Sequence, residues 1–121
     1  MKNNRIHIRV EFIIKEGKID EFKKLVQDMS RMVESNEPDT IDYEFYLNSD
    51  ETKCMVHETY ANSEAALVHN NSIASQTILP KVFSVAHLSR FDFYGKPSKE
   101  LRELITSFNP QIYNLFTGYS R

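Results

Sequence analysis

The stretch IDYEFYLNSDETKCMVHETY, residues 41–60, decides the fold. Over residues 41–47 the apolar side chains Ile41, Tyr43, Phe45 and Leu47 alternate with Asp42, Glu44 and Tyr46, which is the period of a half-buried strand. Asn48-Ser49-Asp50-Glu51 is a polar turn of hairpin length, and a second strand over residues 53–60 follows at once. Two strands joined by so short a link are most simply an antiparallel hairpin.

Upstream, residues 5–15 alternate strictly, with Ile6, Ile8, Val10, Phe12 and Ile14 on one face and His7, Arg9 and Glu11 on the other, so another strand precedes the hairpin. After Gly17 the period becomes helical. Ile19, Phe22, Leu25, Val26, Met29, Met32 and Val33 share one side up to about Ser35, Lys23, Lys24, Asp28 and Arg31 the other, and Pro38 marks the exit. Downstream of the hairpin, Asn62 or Ser63 offers an N-cap before Glu64-Ala65-Ala66-Leu67-Val68-His69. Asn70-Asn71-Ser72 interrupts that helix before apolar spacing resumes from Ile73 to Val85, giving one broken helical region, and a last short strand over 88–94 ends at Gly95.

The order strand, helix, strand, strand, helix, strand is a ferredoxin-like βαββαβ arrangement of the α+β class, a four-stranded antiparallel sheet with two helices on one face. The other face is left bare, and a second copy packing sheet to sheet across a two-fold axis is the expected cover. Beyond Pro97, Ser98 caps an amphipathic helix bearing Leu101, Leu104, Ile105 and Phe108. Residues 111–121 contain Ile112, Tyr113, Leu115, Phe116 and Tyr119, too apolar for a free tail, so this extended end is expected to dock on its own core or on the neighbour's. Residues 1–95 form the main unit, and 96–121 a C-terminal helix and tail of the same domain that docks on the dimer.

A chain of 121 residues, 40% hydrophobic and 26% charged, suits one domain that needs neither disulfides nor a structural metal. Cys54 is the single cysteine, and residues 1–10 lack the apolar core of a secretory signal, so a cytoplasmic location is expected. The longest runs without charge, 104–119 and 70–80, are broken by polar residues and could not span a membrane. A formal charge of −2, with seven acids and no Lys or Arg over residues 34–51, argues against nucleic acid as a partner. With only Gly17, Gly95 and Gly118, no glycine cluster could cradle a pyrophosphate.

Three segments carry a more specific signal: Lys15-Glu16-Gly17-Lys18; Glu37-Pro38-Asp39-Thr40-Ile41-Asp42-Tyr43-Glu44; and above all Glu58-Thr59-Tyr60-Ala61-Asn62-Ser63-Glu64-Ala65 followed by His69 and Ser72. On these, over roughly residues 5–95, the sequence resembles the antibiotic biosynthesis monooxygenase domains of the dimeric α/β-barrel superfamily. The ending, from Phe108-Asn109-Pro110 to Gly118-Tyr119-Ser120-Arg121, is similar to that of longer, mostly uncharacterised members. The resemblance implies a homodimeric barrel and an oxidation of quinols or polycyclic aromatic phenols by molecular oxygen, with no metal, flavin or other cofactor. Related members degrade haem or have no known reaction. Asp39 stands where the family has a glycine, a change in a turn. The positions where haem-degrading relatives place asparagine, tryptophan and histidine fall on Val10, His69 and about Leu79, and the chain has no tryptophan, so haem degradation is not expected.

Oxygenation without a cofactor asks for an apolar pocket that holds an electron-rich phenol and a base that forms the phenolate. His69 is the first candidate base, sharing the sheet-facing side of its helix with Ala65 and Ile73; the alternative is a histidine that hydrogen-bonds a neighbouring strand or the partner. His57 is the second, a pocket base if its strand turns it inward and an interface residue or partner of an acid if not. Val10, Tyr43, Tyr60 and Ile73 are the candidate pocket residues, with core filling the alternative for the two tyrosines. Glu58 reads as a structural or interfacial hydrogen-bond anchor, since a carboxylate facing another layer needs partners. His7, His57, His69 and His87 have no zinc-type spacing, so no metal is expected. Cys54 reads as a small buried hydrophobe. The function expected is a cofactor-independent monooxygenase acting on a quinol-like or phenolic aromatic molecule; the alternative is a non-catalytic homodimeric ligand-binding or stress-associated module.

Overall fold

The computed structural model describes residues 4–121, so the first three residues of the 1–95 unit lie outside the described residues. The elements are β1 Ile6–Ile14, α1 Ile19–Asn36, β2 Thr40–Leu47, β3 Lys53–Tyr60, α2 Ser63–Asn70, α3 Ile73–Thr77, α4 Leu79–Val85, β4 Ala86–Tyr94, α5 Lys99–Ile105 and β5 Gln111–Tyr113. A 3₁₀ turn, Thr106–Phe108, extends α5. The sheet runs β2-β3-β1-β4-β5, antiparallel except for the last pair. The ferredoxin-like order is therefore present with one addition: the sequence suggests four strands, and the three-residue β5 adds a parallel edge.

Alternation decides what each strand buries. In β1, Ile6, Ile8, Val10, Phe12 and Ile14 are buried while the residues between them are half-exposed. The register sets Ile8 opposite Glu58, Val10 opposite Val56 and Phe12 opposite Cys54, so these side chains share the face covered by helices. Into that face α1 sends Phe22 and Val26, and α5 sends Leu101 and Ile105. Full burial of one such side chain stabilises the fold by roughly 1.5–3 kcal/mol relative to exposure. Cys54, 0% exposed, belongs to this core, and burial pushes its thiol up to about 11, which keeps it a thiol.

Capping explains where the helices begin. Asn62 accepts from the Ala65 N–H at 2.9 Å and starts α2; Ser72 does the same for Ser75 at 3.1 Å and starts α3; Ser98 takes the Leu101 N–H at 3.2 Å and starts α5. The broken helical region thus splits into three pieces, because Ser72 restarts the chain as a cap in extended conformation and Pro80 opens α4. Gly95 joins β4 to the C-terminal segment at φ +126°, and a Cβ there would lie 3.2 Å from the Arg5 carbonyl, so this turn requires glycine.

The opposite face of the sheet, the open face, carries His7, Arg9 and Glu11 of β1 beside His57 of β3 and Arg90 and Asp92 of β4. The C-terminal segment docks on its own chain only at its start, where β5 pairs with β4 and Ile112 packs against the core, whereas Leu115, Phe116 and Tyr119 are 77%, 96% and 80% exposed. Among the described residues no helix is long and apolar enough to cross a membrane.

Candidate functional site

Between the covered face of the sheet and the helices lies a cavity of ≈ 90 Å³. Its lining is mostly aliphatic and aromatic, and Tyr43, Glu58, Tyr60, His69, Asn70 and Ser75 are its polar exceptions. Three of them lie close to His69. The rings of Tyr43 and Tyr60 lie 5.2 and 5.6 Å from that of His69, and the Ser75 hydroxyl donates to the His69 carbonyl at 2.6 Å.

His69 is held from outside the cavity. Its Nδ1–H donates to Glu37 Oε1 at 2.8 Å, and the two side chains are only 12% and 4% exposed. Glu37 stands just past the end of α1, and its Oε1 also accepts from the Thr40 hydroxyl at 3.0 Å. A carboxylate on Nδ1 fixes the tautomer and leaves Nε2 as the nitrogen available to a bound molecule. Burial by itself would lower the pKa of His69, but the Glu37 hydrogen bond and the charges of Glu58 and Glu37 outweigh it, so the imidazole titrates above its ordinary value. Burial likewise works against ionisation of Glu37, and the hydrogen bond and charge of His69, with help from Thr40 and Ser72, carry it below the usual carboxylate range.

Glu58 is placed differently. The Tyr60 hydroxyl donates to its Oε1 in a short contact, and no ion pair with a Lys or Arg side chain reaches it among the described residues. Burial holds its pKa above the ordinary value against the opposing charge of His69. Burial first, and then the charge of Glu58, also raises Tyr43 and Tyr60 well above a free phenol, so both stay protonated donors.

Five of the residues singled out in the sequence, Val10, Tyr43, Glu58, Tyr60 and His69, line the cavity together. Two do not. His57 lies on the open face, opposite Arg9 and Glu44, with its ring 4.8 Å from that of Tyr46. Burial and then Arg9 lower its pKa. The inward alternative for His57 is thereby corrected: Glu58, its neighbour in the strand, takes the inward place. Ile73 is 73% exposed and outside the lining, because the break at Asn71-Ser72 turns α3 away from the direction that continuous helical spacing from His69 would give. Glu37 is a site residue that sequence reasoning misses. Its one signal is a carboxylate at a helix exit, and its partner is 32 residues away. Among the described residues no group of three or more His, Cys, Asp and Glu is placed to hold a metal ion.

Residues 5–81, more than half of the chain, match a family described as antibiotic biosynthesis monooxygenase. No curated protein matches in sequence. Among solved structures, MupZ from Pseudomonas fluorescens is 23% identical with a TM-score of 0.85, the match covering 98% of this chain and 96% of that one. A Caulobacter crescentus protein provisionally named an antibiotic biosynthesis monooxygenase is 18% identical, with a TM-score of 0.71 and coverage of 79% and 92%. One from Nitrosomonas europaea with a similar name is 17% identical, with a TM-score of 0.70 and coverage of 79% and 93%. At these identities the likeness is one of fold.

Proposed function

Because the chain belongs to the antibiotic biosynthesis monooxygenase family, we propose that its cavity binds a phenolic or quinol-like aromatic molecule and oxidises it with molecular oxygen, using no metal or organic cofactor. The observation that carries this reading is the imidazole of His69, held by Glu37 and presented to an apolar cavity. The substrate hydroxyl gives its proton to Nε2, and the phenolate that results is electron-rich enough to reduce oxygen directly. For an anthrone-like substrate the step balances without an outside reductant. The ring methylene becomes a carbonyl with one oxygen atom, and its two hydrogens leave with the other as water. The apolar walls keep the phenolate from bulk water next to oxygen.

A second copy packed on the open face completes this reading. That face presents Tyr46, 49% exposed, as an aromatic contact for such a copy. A binding module without a reaction fits a molecule whose histidines all sit at the surface; His69 in the cavity favours the enzyme. The test is oxygen uptake by the purified protein across a panel of quinols and anthrone-like phenols with metals chelated. Uptake coupled to product formation is the expected result, and a flat trace across the panel contradicts it.

A further inference from the structure

Glu58 is a carboxyl group in the cavity that phenol deprotonation leaves unused. It sits on the covered face between Ile8 of β1 and Tyr43 of β2, where every neighbouring strand position is apolar or aromatic. A purely structural acceptor for the Tyr60 hydroxyl at this point would be better served by an amide, because an ionisable carboxyl away from water costs stability whenever it ionises. The nearest guanidinium, Arg9, lies on the other side of the sheet and spends its Nη1 on the main-chain carbonyls of Ile8 and Glu58, at 3.2 and 3.3 Å. The carboxyl therefore faces His69 without a cation of its own.

The two groups have opposite surroundings. His69, on α2, is backed by the carboxylate of Glu37 and suits a base; Glu58, on β3, is backed by a phenol hydroxyl and apolar strands and suits an acid. Two proton-carrying groups that line one cavity and are held from different sides, one by a carboxylate and one by a phenol hydroxyl, can serve as a base and an acid to one bound molecule. Tyr60 occupies Oε1, which leaves Oε2 to carry the proton. The rest of the lining, Phe12, Phe83, Leu88, Phe91 and Phe108 among it, suits a molecule with one polar head and an apolar, ring-bearing body.

Resting on the reading of this cavity as an active site, we propose that the chain also catalyses an oxygen-independent reaction, the keto–enol proton transfer of apolar aromatic ketones, with His69 as base and Glu58 as acid. Nε2 removes a proton from the carbon next to the carbonyl. The C–H electron pair forms the C=C bond of the enol, and the carbonyl oxygen takes the proton of Glu58. In reverse the imidazolium gives a proton to carbon while the carboxylate takes the enol hydroxyl proton back, so no oxidant or reductant is consumed and the net result is exchange or migration of a hydrogen.

The test uses the full chain without oxygen in D₂O, with 2-tetralone as the probe and NMR as the readout. The protein should exchange the C1 hydrogens at least about 10²-fold faster than matched buffer, in the range a positioned acid–base group supplies. Glu58→Gln should remove most of that acceleration, His69→Ala at least as much, and His57→Ala none. If Glu58→Gln does not keep the wild-type circular dichroism spectrum, Tyr60→Phe replaces it, and a loss of about tenfold is expected because the acid loses the hydroxyl that orients it. Exchange no faster than buffer, or exchange unchanged in the Glu58 or Tyr60 variant, overturns the proposal. Exchange with no oxygen uptake on the phenol panel supports it and sinks the oxygenase; uptake with no exchange does the reverse.

Discussion

The two faces of the sheet are built from the same strands and alternate residue by residue, yet they do different things with charge. On the covered side burial decides how Glu58 titrates, whereas the hydrogen bond and charges that His69 and Glu37 exchange carry both of them against burial. On the open face charged groups stand beside one another in the sheet: Arg9 lies between His57 and Asp92 on the flanking strands, and within β4 Arg90 Nε reaches Asp92 Oδ2 at 2.7 Å. The comparison teaches that position in the pleat decides whether an ionisable residue becomes a candidate for chemistry. His57 and Glu58 are adjacent in sequence, and one register step separates an open-face group from a cavity group.

The largest effect should come from uncovering the covered face. Ending the chain after Gly95 removes Leu101 and Ile105, 1% and 2% exposed, and takes Leu104 and Phe108 from the cavity wall. Deleting one fully buried Leu or Ile side chain costs about 2–5 kcal/mol, against a total stability of about 5–15 kcal/mol for a domain. The truncated chain should lose its cooperative thermal transition, and a melting temperature near that of the full chain would break the comparison.

Next comes the open face. If a second copy covers it, sedimentation at micromolar concentration should give a dimer, and a Tyr46→Lys substitution, at a residue 49% exposed, should shift the chain toward monomer while leaving its circular dichroism unchanged. A wild-type monomer would show the open face to be a solvated surface.

The smallest effect concerns the pair that holds the imidazole. The lowered pKa of Glu37 contributes stability above its ordinary value of 4.5, and this is lost as pH falls through the lowered value. The raised pKa of His69 contributes stability below its ordinary 6.5, lost as pH rises through the raised value. Both contributions are present together between those two ordinary values. Glu37→Gln should therefore cost most in that window, about 1–3 kcal/mol as for a hydrogen bond to a charged group, with a difference from wild type that narrows on either side. Denaturant melts from pH 3 to 9 would check it; a difference independent of pH would mean that the pair is not charged.

Strands and helices are legible where apolar residues keep one period. Residues 5–15 and 19–35 read directly, and Ser98 announces its helix as a cap, whereas Ser72 reads only as an interruption. Ile41 breaks the pattern: alternation places it inward with Tyr43, yet it is 41% exposed, because the register shifts between Thr40 and Asp42 and a bulge turns it out. The strand β5 escapes a sequence reading because three residues carry no period. In β3 the parity of Cys54, Val56 and Tyr60 is a usable sign that Glu58 points in and His57 out, and the charge of Glu58 obscures it. Glu37 cannot be paired with His69 from sequence, since contacts between the exit of one helix and the end of another are set by packing of the whole layer.

The most direct test of the claim that chemistry belongs to the covered face compares His69→Ala with His57→Ala in the oxygen-uptake assay on a phenol the wild type accepts. His69→Ala should lower turnover by about 10²–10⁴-fold, and His57→Ala should leave it within about twofold. Equal losses in the two variants, or full activity in a folded His69→Ala protein, would contradict the account.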